Sequence, residues 1–206
     1  MLFIVWLVSK CQGDDIYVAS TGTNNTGCGS EGTPCKTVGY AVKKGDVVKL
    51  IAGTIAGDSS TVEIGTGTKS IEGSNPAASS EAPIEQISQA TLQYESFGSD
   101  RFTVSTGSLS LKFFYVVFNT QPTGYYDLVY VSDKGGVVLD NMEISSGSTN
   151  YQFYPILYCV KSGSVSISHS LFKDFYCPSY PCIQIALKQC SSSYESDCIN
   201  YPQYYS

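Results

Sequence analysis

Asp100, Arg101 and Asp127 are the residues of this chain whose types and spacing could do chemistry. Arg101 is its one arginine. An arginine can serve as the base that takes a proton from a uronic acid sugar, with carboxylates holding Ca²⁺ beside it. The interval from Asp100 to Asp127 would stack the two carboxyls if the chain repeats at that period. Two carboxyls about 5 Å apart suit a retaining glycosidase. Both aspartates also precede an apolar run, where a turn opens into a strand and Asp is favoured anyway. That position accounts for them without catalysis.

Other chemistries find less. His169 and Asn141 occupy equivalent places, each following an apolar residue, Ile167 or Leu139, by two positions. His169 has no Ser, Cys or Asp partner in its own motif and reads as a corner residue satisfying backbone groups. Gly-x-Ser-x-Gly and phosphate-loop patterns are missing from the sequence. Cys-x-x-Cys is also missing, and a single histidine cannot complete a Cys/His zinc site, so no metal or cofactor is implied. Binding rests on tyrosine. Of 16 tyrosines, Tyr125, Tyr126, Tyr130, Tyr151, Tyr154 and Tyr158 gather at or beside turns, where rings could stack on sugars or meet a protein. Packing between stacked units would explain the same residues.

The elements that must position these groups are written as a repeat. Leu111, Leu139 and Ile167 recur at an interval of about 28 residues, and a fixed period in this range signals stacked units. Gly107, Gly135 and Gly163 keep the same interval, four positions before them. Apolar pairs precede each glycine: Phe102 and Val104, Val129 and Val131, Leu157 and Cys159. Each unit holds two alternating apolar–polar runs around a glycine turn, the pattern of half-buried strands. Equivalent strands should then stack in parallel, roughly 4.8 Å apart. The expected fold is all-β, a parallel solenoid, with an antiparallel β-sandwich as the alternative. Upstream, Val48 and Leu50 alternate inward, Gly53 to Gly57 reads as a turn, and Ala90 to Tyr94 as a strand. Residues 73 to 83 read as a surface loop. Ile183 to Leu187 reads as a final strand.

Composition narrows the partners. Charged residues make up 15% and the formal net charge is −6, which leaves no footprint for nucleic acid or an anionic membrane. Eight cysteines point to an oxidising compartment. Residues 1–13 resemble a secretory signal peptide, too short to span a bilayer. The mature chain, 14–206, is then one secreted or surface-displayed domain with no membrane span. Short loops favour Cys28 with Cys35, Cys177 with Cys182 and Cys190 with Cys198, leaving Cys159 as the odd thiol. Asn24 heads an Asn-Asn-Thr glycosylation sequon in a polar loop. Thr33 before Pro34 offers an N-cap, with Val38, Ala41 and Val42 on one face of a short helix ending at Gly45. No comparable cap follows Ile183 to Leu187, so the domain reads as incomplete at its C-terminal end, or as self-associating through an open last strand.

Tyr17-Val-Ala-Ser, Cys28-Gly, Thr33-Pro-Cys-Lys-Thr-Val38 and Gly45-Asp-Val-Val-Lys-Leu50 resemble the entry of right-handed β-helix, pectin-lyase-like proteins. The cysteine motifs also look like those of polymorphic outer-membrane-type surface proteins. The resemblance implies a right-handed parallel β-helix whose first coil is capped by the short helix. It leaves activity open, because the family holds lyases, hydrolases, adhesins and inert surface proteins. An intact fold pattern beside a thin catalytic set gives a non-catalytic module for adhesion, glycan binding or spacing. The alternative is a polysaccharide lyase or glycoside hydrolase.

Overall fold

The structure, a computed structural model, describes residues 15–73, 90–95, 98–120, 127–147, 156–160, 163–175 and 183–186. The chain opens with β1 (Ile16–Val18) and a short helix α1 (Val38–Ala41). It then makes successive circuits of three strands. The first is β2 (Val47–Leu50), β3 (Gly53–Ala56) and β4 (Val62–Ile64). The second is β5 (Thr68–Gly73), β6 (Ala90–Tyr94) and β7 (Phe102–Val104). The third is β8 (Ser108–Lys112), β9 (Tyr115–Phe118) and β10 (Val129–Val131). The fourth is β11 (Gly136–Asp140), β12 (Glu143–Ser146) and β13 (Leu157–Val160). The last described strands are β14 (Ser164–Ser168), β15 (Leu171–Lys173) and β16 (Ile183–Ala186).

Every third strand joins the same sheet. The first sheet runs β1-β2-β5-β8-β11-β14, the second β3-β6-β9-β12-β15 and the third β4-β7-β10-β13-β16. All pairings between the described strands are parallel, and among them the antiparallel sandwich does not occur. The constant interval of the repeat is a hydrogen-bonded register: Leu111 pairs with Leu139 and Leu139 with Ile167. Phe102, Val129, Leu157 and Ile183 likewise pair in line. Inward positions form columns through the core. Val48, Ile71, Leu111 and Leu139 make one; Ile55, Leu92, Val116 and Ile144 another, all buried. Each such side chain contributes about 1.5–3 kcal/mol relative to exposure.

The repeat holds three strands where the sequence suggests two. Three of the second-sheet strands, β9, β12 and β15, had no glycine or proline to announce them. The corner before each is made by one residue in left-handed conformation: Phe113, Asn141 and His169, with φ of 60°, 52° and 46°. Such a corner is costly for a bulky residue such as Phe113, while Asn and His adopt it more readily. Gly53–Ala56, expected as a turn, is strand β3, which opens on Gly53 at φ 116°. The aligned glycines have a different reason. A Cβ on Gly135 would lie 2.4 Å from the Val104 carbonyl oxygen, and one on Gly163 would lie 2.9 Å from Val131 Cγ1, each a residue of the preceding circuit. These turns bring successive circuits too close for a side chain.

The N-terminal end has its own construction. Helix α1 begins at Thr37, whose side chain accepts the Tyr40 N–H, so Thr37 and not Thr33 is the N-cap. Thr33 is engaged elsewhere: its Oγ1 lies 2.7 Å from Ser30 Oγ across a local turn. Val38 and Ala41 of α1 are buried, as expected for a cap. Cys28 and Cys35 form the expected disulfide. The loop between them lies along β1, where Tyr17 N–H donates to Gly29 O and Ala19 N–H to Cys35 O.

Packing within the core makes a test of these close approaches. Tyr94 and Phe118 stack at 5.5 Å, and Phe118 meets Phe175 edge-on at 6.2 Å. Gly57 lies against Tyr94, where a Cβ would approach ring carbons to 2.2 Å. Gly65 has open space around it. Gly57→Ala should therefore destabilise by about 1–3 kcal/mol through overpacking, while Gly65→Ala changes stability little. Chemical denaturation of the two variants checks this; equal midpoints would contradict the packing.

Candidate functional site

Asp100, Arg101 and Asp127 do come together, at the corner between the second and third sheets. Each lies just before a third-sheet strand, as turn chemistry predicts. Asp100 Oδ1 accepts the Asp127 N–H at 2.9 Å, and Arg101 N–H donates to the Asp127 carbonyl at 3.0 Å. Arg101 is only 1% exposed. Its Nη1 donates to the Asp58 carbonyl at 3.1 Å, and its guanidinium lies 5.2 Å from the centre of the Tyr94 ring. Asp58 in turn accepts the Gly39 N–H of α1 through Oδ2 at 2.9 Å. The arginine thus ties an interior aromatic to the segment that holds the cap.

Electrostatics follow from that burial. Burial pulls the Arg101 guanidinium below its ordinary value, with Tyr94, Asp100 and Asp58 opposing. Burial pushes the Tyr94 phenol up, Asp58 adds to this and Arg101 opposes it. Asp127 has its carboxyl raised from 3.8 to about 8, by burial first and the Asp100 charge second. A carboxyl poised near neutrality could move a proton. Arg101 is a different matter, because a side chain closed off from solvent cannot reach a substrate as base.

His169 corrects the sequence reading. It has an acidic partner one circuit away: its Nδ1 lies 3.2 Å from Asp140 Oδ1. Ser168 Oγ donates to that same oxygen at 2.7 Å, and Asn141 Nδ2 does so at 3.2 Å. The serine hydroxyl is spent on the aspartate and not on the imidazole, so the three residues do not make an acyl-transfer triad. The partner was legible only from the register that brings Asp140 beside Ser168. Among the described residues no three His, Cys, Asp or Glu side chains gather to hold a metal.

The tyrosines divide. Tyr125, Tyr126, Tyr151 and Tyr154 lie outside the described residues. Tyr130 and Tyr158 are strand residues, in β10 and β13, rather than turn residues. They are register partners on the outer face of the third sheet, half-buried, with ring centroids 5.8 Å apart and planes tilted by 37°. Thr103 and Glu63 continue their column. The signal for this pair was that Tyr130 and Tyr158 stand at the interval of the repeat.

Of the remaining sites, Cys159 is a buried free thiol, and burial pushes it up. Cys177, Cys182, Cys190 and Cys198 lie outside the described residues, as do residues 1–13 and 187–206. Asn24 is exposed, but its amide works locally: Oδ1 accepts Lys36 and Thr37 N–H groups at 2.9 and 3.2 Å, and Nδ2 donates to Thr37 Oγ1 at 3.2 Å. Comparison with protein-family models, with curated proteins and with solved structures gives no match.

The Asp127 environment has a pH consequence. Between the ordinary value of 3.8 and about 8, the folded chain keeps a proton that the unfolded chain has released. Stability from this group is therefore full below pH 4 and is lost as pH rises through 8. At about 1.4 kcal/mol per pH unit the loss is on the order of a few kcal/mol. Asp127→Asn should flatten the fall. Denaturation midpoints from pH 4 to 8 check it, and parallel profiles would refute it.

Proposed function

We propose that the chain is a secreted or cell-surface module with a right-handed parallel β-helix of the pectin-lyase-like type, acting in glycan binding or adhesion without catalysis. The observation that carries the reading is the Tyr130–Tyr158 pair, two rings in line on the outer face of the third sheet. Rings on a rigid sheet offer apolar area and a hydroxyl at low entropy cost, which suits stacking on a sugar or packing against a protein surface. The burial of Arg101 supports the non-catalytic part, since the arginine serves as an interior tie. The Cys28–Cys35 disulfide is compatible with an oxidising compartment. Among the described residues no helix is long and apolar enough to cross a membrane.

A polysaccharide lyase or hydrolase is the second reading. The raised Asp127 carboxyl beside Asp100 favours it.

A glycan array probed with the whole chain tests the first reading. The double variant Tyr130→Ala, Tyr158→Ala should lose at least tenfold in affinity for whatever the parent binds, about 1.4 kcal/mol. Retention of parental affinity would rule the pair out. Incubation with polygalacturonate and Ca²⁺, followed by absorbance of the unsaturated product, should show no turnover. Turnover that disappears in Asp127→Asn would favour the second reading instead.

A further inference from the structure

The strands sort their charge by sheet. Lys49, Lys69 and Lys112 belong to the first sheet and Lys173 to the second. The described strands of the third sheet carry no lysine or arginine. Arg101, just before β7, is buried and turned to Asp58 and Tyr94. The carboxylates on the described strands are Glu63, Glu72, Asp140 and Glu143. Glu72 pairs with Lys49, Glu143 pairs with Lys173, and Asp140 takes Ser168, Asn141 and His169. Glu63 is exposed and, among the described residues, has no such partner.

Glu63 heads the column that holds the tyrosine pair. Glu63, Thr103, Tyr130 and Tyr158 are successive register partners on the outer face of the third sheet. Such partners stand roughly 4.8 Å apart along the stack. The Tyr130 and Tyr158 rings have centroids 5.8 Å apart and planes tilted by 37°. The face of a tyrosine ring is electronegative and attracts a cation. A carboxylate lies in line with these rings, and the chain as a whole carries −6. This face therefore repels an anionic ligand and draws a cationic one. The turn after β10 holds Asp133 and Lys134, both exposed, whose charges oppose each other.

We propose that this column takes a linear glycan bearing free amines, lying along the stack with ammonium groups over the Tyr130 and Tyr158 rings and at Glu63. That ligand class presupposes the glycan-binding reading above and narrows it. A polymer fits better than a single sugar. Glu63 stands two strand spacings from Tyr130, roughly 10 Å, which is farther than one ammonium can serve. A repeating ligand brings one charged group after another to a column that repeats. Thr103, between them, offers a hydroxyl to the sugar. A basic peptide shares the charge, but a sugar adds a ring face to lie on the tyrosines and hydroxyls to meet Thr103.

Calorimetry on the whole chain tests this with a glucosamine oligomer whose amines are protonated. It is compared with its N-acetylated form, an oligogalacturonate of the same length and a lysine oligomer of the same charge. The glucosamine oligomer should bind roughly tenfold or more tighter than each of the others, and added salt should weaken it. That comparison needs no variant. Glu63→Gln, a change at an exposed position, should weaken the glucosamine oligomer about threefold and leave the N-acetylated form unchanged. The double variant Tyr130→Ala, Tyr158→Ala should weaken it roughly tenfold or more. An N-acetylated or galacturonate oligomer that binds as tightly as the glucosamine oligomer overturns the amine class and leaves the glycan-binding reading standing. A lysine oligomer that binds as tightly makes a basic peptide the occupant and also overturns it. Absence of glucosamine binding, or equal binding by Glu63→Gln and the parent, overturns it as well, and the glycan array then decides the broader reading separately.

Discussion

Everything in this structure depends on backbone hydrogen bonding between parallel strands of successive circuits. A strand here finds its partners roughly one repeat before and after, never next to itself in sequence. Each circuit is therefore useless alone, and its N–H and C=O groups are satisfied only by the circuits on either side. The consequence reaches the corners. Phe113 N–H donates to Asp140 O and Asn141 N–H to Ser168 O, so even the left-handed corner residues bond along the stack. That bonding helps hold three successive non-glycine residues in a region that local sterics disfavour.

The same constraint decides what becomes of the chemistry-bearing residues. A polar group at a corner is taken up by a neighbouring circuit or by the cap. Asp100 is spent on the Asp127 amide, Asp58 on the α1 backbone and Arg101 on the Asp58 carbonyl. Asp140 collects Ser168, Asn141 and His169. At Asp100, Asp58 and Arg101 a residue that looks catalytic in isolation is engaged with a backbone group instead. What remains for recognition is the outer face of the strands, where side chains have no backbone to serve.

How much of this could be read beforehand follows from where the register is regular. From Phe102 to Ile167 the step between register partners is nearly constant, and there the inward columns and aligned glycines were legible. Before that, Ile71 pairs with Leu111 across a much longer stretch of chain and Val48 with Ile71 across a shorter one, and no period survives to be seen. Strands β9, β12 and β15 were hidden because their entry corners carry Phe, Asn and His rather than Gly or Pro. Arg101 was misleading because an arginine in an apolar, Ser-rich chain looks exposed, and only the position of Tyr94 and Asp58 around it explains its burial. The His169–Asp140 contact required knowing that residues a full circuit apart are neighbours.

Composition itself now has a structural cause. In-register parallel stacking places each outward residue about 4.8 Å from its equivalents above and below. A column of like charges would be self-repelling, so a charged column must alternate in sign. One does: Lys49, Glu72, Lys112 and Asp140 are successive register partners. Burial pushes the Glu72 carboxyl up, but hydrogen bonds from Lys49 and Ser70 and the charges of Lys49 and Lys112 outweigh it and hold it below the ordinary value. Alternation is hard to keep when circuits descend from a common repeat, since a repeat copies the same residue into the same column. Uncharged hydroxyls and aromatic rings can be copied without that penalty, as Ser108 and Ser164 flank Gly136, and as Tyr130 lies on Tyr158. The low content of charge and the wealth of Ser, Thr and Tyr are thus what the stack permits on its surface. A surface so limited offers ring stacking and hydrogen bonding more than charge, and that is the chemistry on which the proposed glycan-binding reading rests.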